Sequence, residues 1–235
     1  MAYRIPLIAV IFTFPVVALI ITLPYILHQY HKYGSVNPLR TLIIYSFILY
    51  MMAIYFLVIL PLPKLNEVTK PEVYMRLVPF SFIGDFLRES SLKLGDPSTY
   101  LKAIKEPCFY VVFFNILMTI PFGIYLRYYF KKDFKSTAIS TFLLSLFFEL
   151  TQLSGLYFIY KYPYRLFDID DLLLNTLGGI IGYALAGIVS KLLPTRDEID
   201  EHSKRAGTHV SGLRRMMVFF LDSLIFTVLF RLSKI

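Results

Sequence analysis

The chain has 235 residues, 57% of them hydrophobic and 17% charged, and 24 basic against 16 acidic side chains give a formal net charge of +8. A soluble domain is roughly half apolar and a quarter charged, so a water-soluble globule is excluded; a single cysteine, the absence of a glycine period and the abundance of Leu, Ile and Phe exclude a disulfide-stapled module, a collagen, a coiled coil and a disordered tail. In so apolar a chain the basic excess orients helices and meets anionic lipid, and it gives no ground for a nucleic-acid partner.

Five stretches reach the roughly 20 apolar residues needed to cross a hydrocarbon core: 5–27, 42–62, 108–126, 137–159 and 169–193. The predicted fold is an all-α integral membrane protein, a bundle of five transmembrane helices. A sixth apolar stretch, 213–235, either spans or lies in the surface. The first span is too long, and its basic flank too slight, for a signal peptide; Pro15 and Pro24 should kink it. Between the second and third spans, 63–107 is long enough to have a fold or a task of its own. Its Leu77-Val78-Pro79-Phe80-Ser81-Phe82-Ile83 run suits the membrane interface, and Asp96-Pro97 reads as the N-cap and first residue of a short helix ending near Glu106-Pro107. Arg127, Lys131, Lys132 and Lys135 cluster after the third span. With Lys32 and Arg40 after the first and Lys191, Arg196, Lys204 and Arg205 after the fifth, they place these segments in the cytoplasm. The N-terminus, the long loop and the loop between the fourth and fifth spans then face outward. The expected domains are an N-terminal helix with its loop (1–40), a four-helix membrane domain (41–193), a flexible polar cytoplasmic linker (194–212) and a C-terminal helix (213–235).

An ionisable group near the bilayer centre costs roughly 2.5 to 3.5 kcal/mol on insertion scales, so the few polar residues inside the spans need a reason. Glu149 lies deep in the fourth span with Gln152 on the same helical face. The third span carries Asn115, with Thr119 one turn on and Pro121-Phe122-Gly123 beyond. In the fifth, Asp168, Asp171, Asn175, Gly178 and Gly182 follow at spacings of three, four, three and four, a single helical stripe. At 1.5 Å per residue, Asn115, Glu149 and Asn175 fall about 11, 14 and 9 Å below helix ends on one side of the membrane. The predicted ligand-binding set is Asn115, Glu149, Gln152, Arg165, Asp168, Asp171 and Asn175, with Arg165 bending back from the short loop.

Plainer roles compete. Asp168, Asp170 and Asp171 stand where capping and the helix dipole favour acids, and for Asp170, off the stripe, capping is preferred. Gly178-x-x-x-Gly182 is first a small-residue packing groove, as are Pro121 and Gly123 on the facing helix. Asn115 and Asn175 are equally suited to bonding each other across helices. His28-x-x-His31 lacks further ligands for a metal, Cys108 lacks a catalytic histidine, and no glycine-rich phosphate loop occurs. No metal or cofactor is expected.

Taken together, Leu77-Val78-Pro79-Phe80, Asn115 with Pro121-Phe122-Gly123, Glu149-x-x-Gln152, and Arg165-x-x-Asp168-x-x-Asp171-x-x-x-Asn175-x-x-Gly178-x-x-x-Gly182 resemble the VanZ-like family over roughly 42–193. The resemblance implies a small multi-spanning bacterial membrane protein with a cell-envelope role; the founding member is associated with low-level resistance to the glycopeptide antibiotic teicoplanin. The segment Arg214-Arg215-Met216-Met217-Val218-Phe219-Phe220-Leu221-Asp222 resembles the first helix of an RDD-family membrane domain, over about 20 residues.

The leading expectation is a polar pocket in the outer leaflet that binds an amphiphile, either a membrane lipid or lipid-linked envelope component or a lipoglycopeptide antibiotic. An intramembrane enzyme is the alternative, with Glu149 and Asp171 as an acid–base pair and Arg165 on a phosphate. A transporter using Glu149 as a proton-coupled site ranks third, because no internal repeat is visible.

Overall fold

The computed structural model describes residues 4–93, 95–208 and 212–232. Residues 1–3 of the N-terminal segment, 94 of the long loop, 209–211 of the expected linker and 233–235 of the C-terminal stretch lie outside the described residues, as do the side chains of Leu213, Arg214, Met217, Val228, Leu229, Arg231 and Leu232. In chain order the elements are α1 (Arg4–Tyr33), α2 (Pro38–Ile59), β1 (Met75–Arg76), α3 (Ser81–Glu89), a 3-10 turn (Pro97–Thr99), α4 (Tyr100–Ala103), α5 (Pro107–Tyr128), α6 (Phe134–Leu153), the short turn α7 (Gly155–Phe158), β2 (Phe167–Asp168), α8 (Ile169–Leu192), α9 (Arg196–Thr208) and α10 (Gly212–Leu232). Five of them, α1, α2, α5, α6 and α8, are long and apolar enough to cross a membrane. The protein is an all-α membrane protein.

Helix α6 is polar inside and apolar outside, the pattern of a helix whose solvent is lipid. On α6 the residues Thr137, Thr141, Ser145 and Glu149, spaced by four, are 0 to 4% exposed. On the other side of the same helix Phe142, Leu143, Phe147 and Leu150 are 40 to 55% exposed. In water such a helix would turn the other way round.

The chain divides into two units. The larger takes α1 up to Ala18 together with Ile43–Arg196. At its centre α8 packs on α5 and α6 through glycines. A Cβ at Gly178 would lie 2.1 Å from the Ile116 carbonyl oxygen, and one at Gly182 2.0 Å from that of Ile120. From the opposite side, a Cβ at Gly123 would lie 2.0 Å from the Gly179 carbonyl oxygen, and one at Gly179 2.2 Å from Thr141 Oγ1. Only hydrogen fits at these positions, so the backbones of α5 and α8 meet, and the Thr141 side chain of α6 lies on α8, at distances that dispersion and short polar contacts reward.

At one end of this seam the chain builds a cover. β1 pairs in parallel with β2, Met75 opposite Phe167 and Arg76 opposite Asp168, which ties the long loop to the start of α8. Asp170 then accepts hydrogen bonds from Phe80 N (2.6 Å), Ser81 Oγ (2.6 Å) and Phe82 N (3.0 Å). Its carboxylate caps the first turn of α3, a helix 88 to 90 residues away in sequence. The 3-10 turn starts as the sequence predicts, with Asp96 accepting from Ser98 N and Pro97 in first position.

Two elements depart from expectation. The apolar run 137–159 does not continue as one helix: α6 ends at Leu153, and Gly155, Leu156, Tyr157 and Phe158 all take positive φ. Gly155 opens this left-handed turn at no steric cost, and the Ser154 hydroxyl accepts from Tyr157 N within it. Hydropathy is blind to this break because the turn is as apolar as the helix. The stretch expected to be a flexible linker is helical instead, as α9.

The smaller unit comprises Leu19–Leu42 and the chain from Asp197 onward. Its fixed point is Arg40, 1% exposed in the first turn of α2. Arg40 donates to Gln29 Oε1 (2.5 Å), Asp200 Oδ1 (2.5 Å) and Ser203 Oγ (3.1 Å), and its guanidinium lies 3.6 Å from the centre of the Tyr33 ring. These bonds hold α9 in place, and they use a charge that the loop-counting argument assigns to a free surface. Gly207 completes the contact, since a Cβ there would lie 2.3 Å from the Tyr33 carbonyl oxygen. In α10 the described side chains, Asp222 among them, are exposed.

Candidate functional site

Above the glycine seam, α5, α6 and α8 separate around a cavity of about 720 Å³. Residues that are small below the cavity are replaced by Asn115, Glu149, Asp171 and Asn175, whose side chains take the space between helices. α2 closes one side with Leu57 and Val58, and α5 contributes Tyr110, Val111, Phe114 and Met118. This wall is apolar, and Leu57, Val111 and Phe114 are themselves 40 to 50% exposed. Arg165 and Leu166 line it from the loop before β2.

The polar groups are held in an ordered way. Asn115 Nδ2 donates to Asp171 Oδ1 at 2.5 Å. Asn175 Nδ2 donates to Ser145 Oγ at 2.8 Å, and that hydroxyl donates in turn to the Asp171 carbonyl oxygen at 3.3 Å. Thr119 Oγ1 donates to the Asn175 carbonyl oxygen at 2.6 Å. Gln152 Nε2 donates to the Val58 carbonyl oxygen at 3.1 Å, and Glu149 Oε2 accepts from Asp168 N at 2.9 Å. Each side chain is thus fixed by a helix other than its own or by the strand before α8, the arrangement a preorganised site requires.

An ion-pair network backs this wall. Arg76 Nε donates to Asp168 Oδ2 at 2.9 Å, its second guanidinium nitrogen pairs with the same oxygen, and its third donates to Asp85 Oδ2 at 2.5 Å. The hydrogen bond to Asp168, more than any other influence, holds the guanidinium above its usual pKa. Asp168 Oδ1 meanwhile accepts from Asp170 N as the N-cap of α8. In the same loop region, burial pushes the Tyr164 phenol up to about 12.

The sequence model of the VanZ/LLP1 family matches residues 47–190, more than half of the chain. The chain belongs to the VanZ/LLP1 family. No curated protein and no solved structure matches it. The VanZ/LLP1 match contains every residue that lines the cavity and ends before α9 and α10.

Of the residues singled out from sequence, Asn115, Glu149, Gln152, Arg165, Asp171 and Asn175 line this one cavity. Asp168 stands behind it, joined to Glu149 through its backbone N–H. Glu149 is shallower than the continuous span implies, four residues or about 6 Å from the end of α6. Asn115 and Asn175 do not bond each other; Asp171 and Ser145 take those places. Arg165 is exposed and makes neither a hydrogen bond nor an ion pair among the described residues. Sequence reasoning missed Arg76, Asp85 and Ser145. Ser145 had a signal, since it lies four residues before Glu149 on the polar stripe. Arg76 and Asp85 had none beyond flanking the Leu77-Val78-Pro79-Phe80 segment, because a two-residue strand pairing leaves no periodicity to read.

Proposed function

We propose that this VanZ/LLP1 protein binds an amphiphile in the cavity between α2, α5, α6 and α8, with the polar part among Asn115, Glu149, Asp171 and Asn175 and the apolar chain along the α2–α5 wall. The observation that carries this is one cavity with an apolar, partly exposed wall and a floor of fixed polar groups. A soluble metabolite would not need the wall, and a pure hydrocarbon would not need the floor. By the distribution of Lys and Arg among the loops, the cavity belongs to the outer leaflet of a bacterial cell membrane. Its ligand is then a lipid, a lipid-linked envelope component or the acylated antibiotic itself. The four-helix region 41–193 is the functional domain. The C-terminal helix, which resembles the opening of an RDD-family domain, is an addition to it.

The test is antibiotic tolerance. Expressed in a glycopeptide-sensitive host, the intact protein should raise the inhibitory concentration of teicoplanin, and the double variant Glu149→Gln, Asp171→Asn should abolish the rise at equal membrane abundance. A double variant as protective as the intact protein would overturn the reading. Two carboxylates in one cavity with Arg165 at its edge favour a second reading, an intramembrane enzyme acting on a lipid headgroup. Mass spectrometry of lipid extracts should then reveal a species that changes with the protein and not with the double variant.

A further inference from the structure

The hydrogen bonds around the cavity are lopsided. One of the two N–H donors of each amide side chain there is engaged by protein: Asn115 Nδ2 by Asp171, Asn175 Nδ2 by Ser145 and Gln152 Nε2 by Val58. The amide orientations are not interchangeable, because a carboxylate and a carbonyl can only accept, and the Ser145 hydroxyl proton is directed at the Asp171 carbonyl. Most of the remaining capacity is of the opposite kind. Asn175 is 4% exposed, and its Oδ1 is buried with no hydrogen-bond partner. Among the described residues no donor reaches Glu149 Oε1, Asp171 Oδ2, Asn115 Oδ1 or Gln152 Oε1 either, although of these five acceptors only Asn175 Oδ1 is fully buried. A buried acceptor left unmatched is destabilising, so a floor of this kind is complementary to a donor.

We infer that the cavity takes an amphiphile whose headgroup carries a primary ammonium, its N–H groups directed at Asn175 Oδ1, Glu149 and Asp171. Arg165, exposed at the edge and in no hydrogen bond or ion pair among the described residues, meets the phosphate that joins such a headgroup to its lipid. An ammonium offers three donors and a positive charge in a small volume, which matches several converging acceptors better than hydroxyls do. A phosphate at the floor would face two carboxylate side chains and the amide oxygens, with only the second N–H of each amide to receive it. The inference rests on the amphiphile-binding reading above and narrows it to one headgroup chemistry.

The full chain is placed in detergent micelles and titrated with four lipids of identical acyl chains, with retention measured by native mass spectrometry. The lipids are phosphatidylethanolamine, N-acetyl-phosphatidylethanolamine, phosphatidylcholine and phosphatidylglycerol. Phosphatidylethanolamine should be retained at least about tenfold better than the others, because each of those lacks either the charge or the N–H donors of the ammonium. Glu149→Gln and Asp171→Asn should each reduce that preference, and Arg165→Gln should weaken all four lipids together. Val111→Trp, which fills the cavity from the apolar wall, should remove retention altogether, with far-UV circular dichroism confirming the helices. Equal retention of the four lipids, still lost in Val111→Trp, overturns the ammonium assignment and leaves amphiphile binding standing. A preference for phosphatidylglycerol overturns it in favour of a hydroxyl headgroup. Retention that Val111→Trp leaves unchanged overturns both readings, since the lipids then bind elsewhere.

Discussion

The same three helices do opposite things at their two ends. Around Gly123, Gly178, Gly179 and Gly182, α5 and α8 touch backbone to backbone and α6 lays the Thr141 side chain on α8, and a Cβ at any of these positions would lie 2.0 to 2.2 Å from its nearest neighbour. One to two turns along, Asn115, Glu149, Asp171 and Asn175 hold the helices apart and line a cavity of about 720 Å³. Residue size sets the spacing and polarity sets the use. The tight end supplies the rigidity that lets the open end keep acceptors unmatched, a cost that a loosely packed bundle would relax away.

The sharpest way to break this division is to crowd the tight end. Gly178→Val or Gly182→Val should each cost about 3 kcal/mol, the upper part of the overpacking range, because the obstacle is a carbonyl rather than a side chain that can move. Thermal unfolding in detergent, followed by circular dichroism, should show the loss. Gly187→Ala, on the same helix but with nothing within 4 Å of its Cβ, should instead be neutral or gain up to about 1 kcal/mol from helix propensity. Equal destabilisation at positions 178 and 187 would mean that the seam is not what holds α8.

The cover responds next. Asp170→Ala leaves Phe80 N, Ser81 Oγ and Phe82 N without their shared acceptor and should cost about 2 kcal/mol. Faster amide exchange should be confined to α3 and spare the seam. Asn at position 170 should recover part of the loss, since its single oxygen can serve only some of the three donors. Arg76→Ala comes below this. Its guanidinium bridges Asp168 and Asp85, but at 36% exposure the pair is screened by solvent and should contribute only about 1 kcal/mol. The effect should appear as exchange at β1 and β2, and 0.5 M salt should reproduce part of it.

What was legible in the sequence follows the same contrast. The five spans could be read because lipid imposes length and hydropathy directly, and the residues that line the cavity could be picked out as candidates because a carboxylate or amide inside a span has no cheap alternative explanation. Gly178 and Gly182 announced a groove by spacing alone, although which helix fills it needs the fold. The departures have physical causes. α6 stops at Leu153 because the left-handed turn Gly155–Phe158 is built from residues as hydrophobic as the helix before it. Asp170 looked like a cap for its own helix, and it caps α3 instead, since β1–β2 pairing brings Phe80–Phe82 within its reach. Arg40 counted as a loop cation until Asp200, 160 residues away, proved to be its partner. Charge pairs of that separation are invisible to a linear scan.

The smallest effect concerns the ends of the helices that the seam joins. Asp133, the exposed N-cap of α6, accepts from the Ser136 hydroxyl and backbone N–H, and these bonds hold its carboxyl below the usual aspartate value. A depressed folded-state pKa contributes stability that is complete above the unfolded value, about 3.9, and is lost as pH falls through the folded one. Exchange of the Ser136 and Thr137 amides should therefore quicken below about pH 4. Asp133→Asn, which caps without a titrating group, should remove that dependence. The fraying should stop short of Thr141, because Thr141 is 0% exposed and a Cβ at Gly179 would lie 2.2 Å from its hydroxyl oxygen, so the seam clamps α6 there whatever its cap does. Acid-induced exchange running past Thr141 toward Ser145 would show instead that the cap, and not the glycine contact, holds this end of the helix.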